Sequence, residues 1–303
     1  MQMSMLRFVA GTVASVSLLM PYVLASAATP ASAGSQAEVT RAVAKGASLS
    51  LLPASLTPAL DAVASDAPTG FSCGAKANAC KGGNEKASKK IVVFGDSHAA
   101  MWFAPLAAGL KAKYSLVLRW RAGCPAAAVT VPSTVLGTGA ECNQWRSDTL
   151  KQTIAEHPSA VIIAELTSRA YGAQSAVVSS AQWKAALGVT LSALRSGHIA
   201  TLVIGDNPSF PGPPAACVAL HLTSVKSCNG LVHPTDGTEN LAAAEQQAAT
   251  LNHAKFIPTT QLLCTQRLCP PVINNIFVYF DITHMTQTYS IYLSKVITKL
   301  TGL

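Results

Sequence analysis

Residues 91–98 read Ile91-Val92-Val93-Phe94-Gly95-Asp96-Ser97-His98. Four apolar residues in a row, without alternation, predict a strand buried on both faces. Gly95 ends the run and predicts a tight turn. The spacing of apolar residues over 98–113 predicts a helix directly after it. Ser97 therefore stands at the carboxyl end of a buried strand and at the N-terminus of a helix. Free N–H groups at such an end can hold an oxyanion, and the helix dipole favours developing negative charge there. Gly95 lets the backbone turn sharply enough for the Ser97 hydroxyl to point outward. A serine alone is a poor nucleophile and needs a base.

The same alternation continues along the chain. Strands are predicted at 115–120, 160–164, 201–205 and 255–258, and helices at 141–157, 181–196, 239–251 and 286–300. Short apolar strands alternating with helices predict an α/β fold with a mostly parallel sheet covered on both faces. Ligands of such sheets bind at the carboxyl ends of the strands. Residues 34–70 are rich in Ala, Ser and Pro, with one short helix predicted at 37–45. Residues 206–237 break the alternation: a proline-rich stretch with two cysteines, His221 and His233. A loop of that length is either a lid or binding element, or a stapled surface excursion.

The second half of a catalytic set lies near the other end. Asp281-Ile282-Thr283-His284 follows the apolar run 276–280 and precedes the final predicted helix. Asp and His three apart in one turn can share a face. The carboxylate then holds imidazole Nδ1–H and stabilises the imidazolium, and the other ring nitrogen is free to take the Ser97 proton. Ser, Asp, His is a known chain order for such a triad.

Composition and export signals bound the setting. The chain has 303 residues, with 22 Lys plus Arg against 14 Asp plus Glu and a net charge of +8. Charged residues are 12% and apolar ones 50%, enough to bury a core and exclude disorder for most of the length. Lys89-Lys90 is the densest basic pair, and no basic stripe is interleaved with aromatics, which argues against nucleic acid. The charge supports no more than weak attraction to an anionic cell surface. Only the run from Phe8 to Leu24 approaches the ~20 apolar residues that span a bilayer, which excludes a polytopic membrane protein. Arg7 precedes it, Pro21 lies inside it, and Ala25-Ser26-Ala27 and Ala31-Ser32-Ala33 follow as cleavage patterns. Residues 1–33 thus read as a signal peptide or, if uncleaved, a single-helix anchor. Either way the body lies outside the cytoplasm, secreted or in the cell envelope. Eight cysteines agree: an even count in an exported chain reads as disulfides. The simplest pairing joins sequence neighbours, Cys73 with Cys80, Cys124 with Cys142, Cys217 with Cys228 and Cys264 with Cys269. No C-x-x-C pair or zinc-type His spacing is present, so neither a metal nor any other cofactor is expected.

These motifs resemble the SGNH (GDSL-like) hydrolases. More narrowly, the chain is similar to the extracytoplasmic SGNH domain fused to membrane acyltransferases that O-acylate bacterial surface glycans. The residues that carry the likeness are Leu52-Pro53, Leu56, Pro58 and Leu60, then Gly95-Asp96-Ser97-His98-Ala99 with Trp102 and Pro105. Gly123-Cys124-Pro125, Cys142, Trp145, Cys264, Cys269, Asp281 and His284 complete it. The resemblance runs from about Val39 to Leu300. It implies a three-layer αβα sandwich of flavodoxin-like type, with residues 34–85 as a lead-in and 86–303 as the catalytic domain. It implies Ser97 as nucleophile, His284 as base, Asp281 as its orienter, and backbone N–H groups of Ser97 and Gly123 as oxyanion donors. Many relatives carry G-x-N-D after the third strand; here residues 161–168 contain no Asn, leaving Thr167 and Ser168 as the hydroxyl residues nearby.

The expected activity is that of an exported serine esterase or O-acyltransferase acting on acyl groups, acetyl foremost, of envelope glycans. Its partners would be an acylated glycan or small ester and, for transfer, a separate membrane acyltransferase. The rival is a non-catalytic glycan-binding or assembly module that kept the fold, against which the complete Ser97, Asp281 and His284 set argues. Asp96 reads as a turn and network residue, since Asp281 is better placed to orient His284. His98 either lines the site or sits in the first helical turn. Trp102, Trp120, Trp145 and Trp183 read mainly as core, with sugar stacking as the alternative. His221 and His233 have no evident partner, and Glu165 receives no role.

Overall fold

The structure, a computed structural model, describes residues 30–73, 80–132, 138–167, 178–232 and 241–303. The apolar run from Phe8 to Leu24, Ser168 and His233 lie outside the described residues. Among the described residues, no helix is long and apolar enough to cross a membrane.

The main sheet holds β1 (Cys80–Gly83), β2 (Lys89–Gly95), β3 (Tyr114–Trp120), β4 (Ala160–Ala164) and β5 (Thr201–Ile204). After a two-residue β6 (Gly230–Leu231) elsewhere, β7 (Lys255–Ile257) completes it. The order is β1-β3-β2-β4-β5-β7. Only the β1–β3 pair is antiparallel. The helices are α1 (Gln36–Ala47), α2 (Ser97–Leu110), α3 (Gly139–Ala155), α4 (Ser180–Ser196), α5 (Pro214–Leu220), α6 (Leu241–Leu251), α7 (Thr260–Leu263), α8 (Gln287–Tyr292) and α9 (Ser294–Thr301).

The period of two along β2 builds the layers. Ile91 and Val93 join a core made with α1, α2, α8 and α9. Val92 and Phe94 join a second core with α3, α4 and α6 on the other face. The fold is therefore the expected αβα sandwich. Parallel register sets Gly95 opposite Trp120 of β3 and Ala164 of β4, so the three strand ends are level.

Several elements depart from the sequence reading. β1 was not expected; its Cys80-Lys81-Gly82-Gly83 carries no apolar run and pairs through its backbone as an edge strand. Residues 206–232 hold more regular structure than a loop. Pro213 and Pro214 open α5, because proline at a first helical position starts a helix as readily as it breaks one elsewhere. Val218, Val225 and Cys228 then pack with Val63, Val272 and Phe277 as a satellite core. The run 276–280 does not join the main sheet. Ile276–Phe277 is β10, paired antiparallel with β9 (Val272–Ile273), while β6 pairs with β8 (Leu268–Cys269). Asn274 and Asn275, both at positive φ, make the two-residue turn between β9 and β10. The single closing helix is two, meeting at Leu293. Ser290 and Thr298 hydroxyls bond back to the carbonyls of Gln287 and Ser294, a habit that bends helices. The disulfides join Cys73–Cys80, Cys124–Cys142, Cys217–Cys228 and Cys264–Cys269.

Gly95 carries a direct test of this geometry. Its φ is +154°, and a Cβ there would collide with the Ala164 carbonyl of the adjacent strand. Gly95→Ala is expected to destabilise the fold by about 3 kcal/mol or more. Urea unfolding measures this; a midpoint within error of wild type would contradict the level strand ends.

Candidate active site

Ser97 is half-buried in a row, residues 91–100, whose other members from Ile91 onward are buried. It is the first residue of α2, so its N–H has no acceptor within the helix. Asp96 caps that helix. Its Oδ1 accepts from the His98 N–H at 2.9 Å and its Oδ2 from the Leu166 N–H beyond β4, also at 2.9 Å. The side chain is fully buried, which raises its pKa; the His98 charge and the two backbone N–H groups pull the other way without cancelling the rise.

The β9–β10 ribbon delivers the chain to residues 281–284. Asp281 Oδ1 accepts from the N–H of Thr283 at 2.8 Å and of His284 at 2.7 Å, closing the turn. Its Oδ2 lies 2.7 Å from His284 Nδ1, and His284 Nε2 lies 2.8 Å from Ser97 Oγ. Three residues predicted from opposite ends of the sequence are thus joined in one hydrogen-bonded row. Burial raises the Asp281 pKa, but the hydrogen bond and charge of His284 and the turn N–H groups outweigh it and bring it down to about 2. Phe71 sets its ring edgewise on His284, with centroids 5.1 Å apart, and stacks on Trp120 at 6.0 Å. The His98 ring meets His284 from another side at 4.9 Å.

Gly123 lies in the turn after β3, at φ +64°. The Arg121 N–H bonds to the Gly95 carbonyl and the Cys124 N–H to the Arg121 carbonyl, which fastens the turn beside the Ser97 strand end. The Gly123 N–H makes no hydrogen bond among the described residues. The segment behind it is anchored from three elements. Arg146 Nε donates to the Pro125 carbonyl at 2.8 Å, Thr190 Oγ1 to the Ala126 carbonyl at 2.6 Å, and the Ala127 N–H to Glu165 Oε2 at 2.8 Å. Burial drives the Glu165 carboxyl up to about 8, against that N–H bond and the Arg146 charge.

Other sequence candidates fall into place. Thr167 turns its N–H and hydroxyl to Asp206 Oδ2, at 2.7 and 3.1 Å, so both donors are taken. His98 is buried in the first turn of α2, its Nδ1 2.7 Å from Asp206 Oδ1 but set off the hydrogen-bond axis. Burial lowers its pKa, and the carboxylates of Asp206, Asp96 and Asp281 raise it by more. Trp102 and Trp183 are core, and Trp145 packs on Phe94. Trp120, half-buried, donates to the Cys73 carbonyl. His221 has a partner after all: its Nδ1 lies 2.9 Å from the Cys217 carbonyl. It also lies near the Cys217 and Cys228 sulfurs, but these form a disulfide and offer no thiolate to a metal.

Sequence reading passed over Phe71, Asp206 and Asn207. The last two had a signal: Gly205-Asp206-Asn207 after β5 repeats the strand–Gly–Asp pattern of Gly95-Asp96-Ser97 after β2. Phe71 had none, since only tertiary folding brings it to the site.

The sequence pattern described as an SGNH domain (fused to AT3 domains) matches residues 63–299. No protein of curated function matches the chain in sequence. Among solved structures, the chain is similar to the periplasmic domain of a lipopolysaccharide acetyltransferase of Salmonella ser. Paratyphi A, with 16% identity and a TM-score of 0.55 over 72% of this chain and 85% of that one. It is also similar to a GDSL-like lipase of Bacteroides thetaiotaomicron, with 12% identity and a TM-score of 0.44 over 80% and 97%. An acetylxylan esterase of Geobacillus stearothermophilus gives 12% and 0.45 over 72% and 95%. With a family match over most of its length, this chain belongs to the family of SGNH domains described as fused to AT3 domains.

Proposed function

We propose that the chain is an exported acyl-transfer enzyme that moves acetyl groups on or off hydroxyls of cell-envelope glycans, with Ser97 as nucleophile, His284 as general base and Asp281 as its orienter. The observation that carries this is the row Asp281 Oδ2–His284 Nδ1–Ser97 Oγ, at 2.7 and 2.8 Å. Ser97 Oγ attacks the ester carbonyl carbon while its proton passes to His284 Nε2. The N–H groups of Ser97 and Gly123 hold the oxyanion. The tetrahedral adduct expels the alcohol, which takes the proton back from His284 and leaves an acyl-serine. Water or a sugar hydroxyl then attacks, again losing its proton to His284, and Ser97 is released with its own proton restored. The glycan assignment draws support from the family's fusion to AT3 domains and from the lipopolysaccharide acetyltransferase among similar folds. For transfer, a separate membrane acyltransferase supplies the acyl group. Export is supported by the signal-like residues 1–33 and by the disulfides.

Hydrolysis of p-nitrophenyl acetate tests the chemistry. Ser97→Ala should lose at least about 10³-fold in kcat; equal turnover by wild type and Ser97→Ala would favour a glycan-binding module. Acceptor choice is read by product analysis with an acetylated donor and a glycan acceptor. Acetylated acceptor identifies transfer, and free acetate alone under all acceptor conditions identifies an esterase.

Asp281 gives a separate, pH-dependent test. Asp281→Asn should lower kcat by about 10²–10⁴-fold, without recovery at high pH, because the wrong imidazole tautomer is then held. The folded carboxyl lies at about 2 against its ordinary 3.8. Stability tied to this depressed group is complete above about pH 4 and is lost as pH falls toward 2. The urea midpoint of wild type should fall across that window more steeply than that of Asp281→Asn; parallel curves would sever the link.

A further inference from the structure

We propose that Asp206 is a positioning residue that sets the distance between Ser97 and His284, by tying the nucleophile helix, the end of β4 and the Asp281–His284 turn to one carboxylate. This rests on the reading of Ser97 and His284 as nucleophile and base. The chain leaves β5 at Ile204 and crosses the carboxyl edge of the sheet as Gly205-Asp206-Asn207. Asp206 Oδ2 accepts from the Thr167 N–H and hydroxyl at 2.7 and 3.1 Å. Its Oδ1 accepts from the Asn207 N–H at 2.8 Å and lies 2.7 Å from His98 Nδ1. Asn207 in turn donates from Nδ2 to the Thr283 carbonyl at 2.5 Å.

The two paths end beside the reacting groups. His98 is covalently next to Ser97, and Thr283 is covalently next to His284. Asp206 is itself immobilised: its N–H bonds to Glu245 Oε2 at 3.2 Å and its carbonyl accepts from Thr259 Oγ1 at 2.8 Å. Its side chain is only 6% exposed, so water does not compete for these contacts. Oδ2 faces the two Thr167 donors and Oδ1 the Asn207 N–H and the His98 ring, a set that an amide cannot match, because its NH2 would confront Thr167 or His98. No contact reaches Ser97 Oγ or the His284 ring, so the residue acts only through its neighbours.

Steady-state hydrolysis of p-nitrophenyl acetate by the full chain tests this, with thermal unfolding alongside. Asp206→Asn should lower kcat by about 10- to 100-fold, the range expected for displacements near 1 Å, with KM within about twofold of wild type. Asn207→Ala should lower kcat in the same direction by less. The double variant should fall no further than Asp206→Asn alone, because the path through Asn207 to Thr283 starts at Asp206. If Asp206→Asn does not fold, Asn207→Ala and Thr167→Val carry the test, each with a kcat loss at constant KM. Wild-type kcat in Asp206→Asn, or in both substitutes, would overturn the proposal, as would losses that add in the double variant or that track the unfolded fraction. Ser97→Ala separates the two claims. A dead Ser97→Ala beside a fully active Asp206→Asn removes the positioning role alone, whereas an active Ser97→Ala removes the triad reading beneath it.

Discussion

The carboxylate of Asp96, wholly out of water, fixes where everything else in the site can be. A buried carboxylate is tolerated only when its oxygens are hydrogen-bonded and a counter-charge is near. Asp96 meets that demand with two backbone N–H groups, one opening α2 and one leaving β4, and with His98 close by. The bonds couple helix start to neighbouring strand end. They also require the β2 end to approach β4 so closely that no side chain fits at Gly95, where the next backbone carbonyl occupies the space of a Cβ. Ser97 inherits its position from this closure: it is the residue between cap and first turn, with its N–H unclaimed and its hydroxyl facing out.

The acidic groups around the sheet edge divide by environment into two kinds. Glu165 and Glu245 are buried, and desolvation holds both carboxyls well toward the neutral form, Glu165 at about 8. Each also accepts from a backbone N–H, Glu165 from Ala127 and Glu245 from Asp206. Asp281 is partly open to solvent, bonds to the turn N–H groups and faces an imidazole, and it is driven down to about 2. The difference matters to the chemistry. A carboxylate that is to stabilise an imidazolium must be ionised whenever the imidazole titrates.

What was legible in the sequence follows from which signals are local. The parallel strands were legible because strands buried on both faces are short unbroken apolar runs, as Ile91–Phe94 and Ala160–Ala164 show. The meeting of Ser97, Asp281 and His284 was legible because each sits at an element boundary with neighbours of complementary chemistry, even though 187 residues separate the Ser97 hydroxyl from the His284 ring. β1 was not, since an edge strand such as Cys80–Gly83 pairs through its backbone and needs no apolar pattern. α5 was hidden by the two prolines that start it. Asp206 had a visible pattern whose meaning depended on knowing that β5 ends level with β2 and β4. Phe71 lay in a segment whose composition resembles a linker.

That last residue changes what the segment before β2 is for. Gly70 packs so tightly on the Ala100 carbonyl of α2 that a Cβ would overlap it. The Thr69 N–H bonds to Gln287 Oε1 at 2.7 Å, which ties the same turn to α8. Trp120 Nε1 donates to the Cys73 carbonyl at 2.8 Å, and Cys73 is bonded to Cys80 at the start of β1. These contacts hold Phe71 between Trp120, Phe280 and the His284 imidazole. An imidazole that must turn one nitrogen to a carboxylate and the other to a hydroxyl cannot be left free to rotate. Asp281 restrains one edge of the ring, and the Phe71 and His98 rings close on it from two sides. Residues 69–73 therefore contribute a wall around the His284 ring, which is oriented by packing as well as by hydrogen bonding.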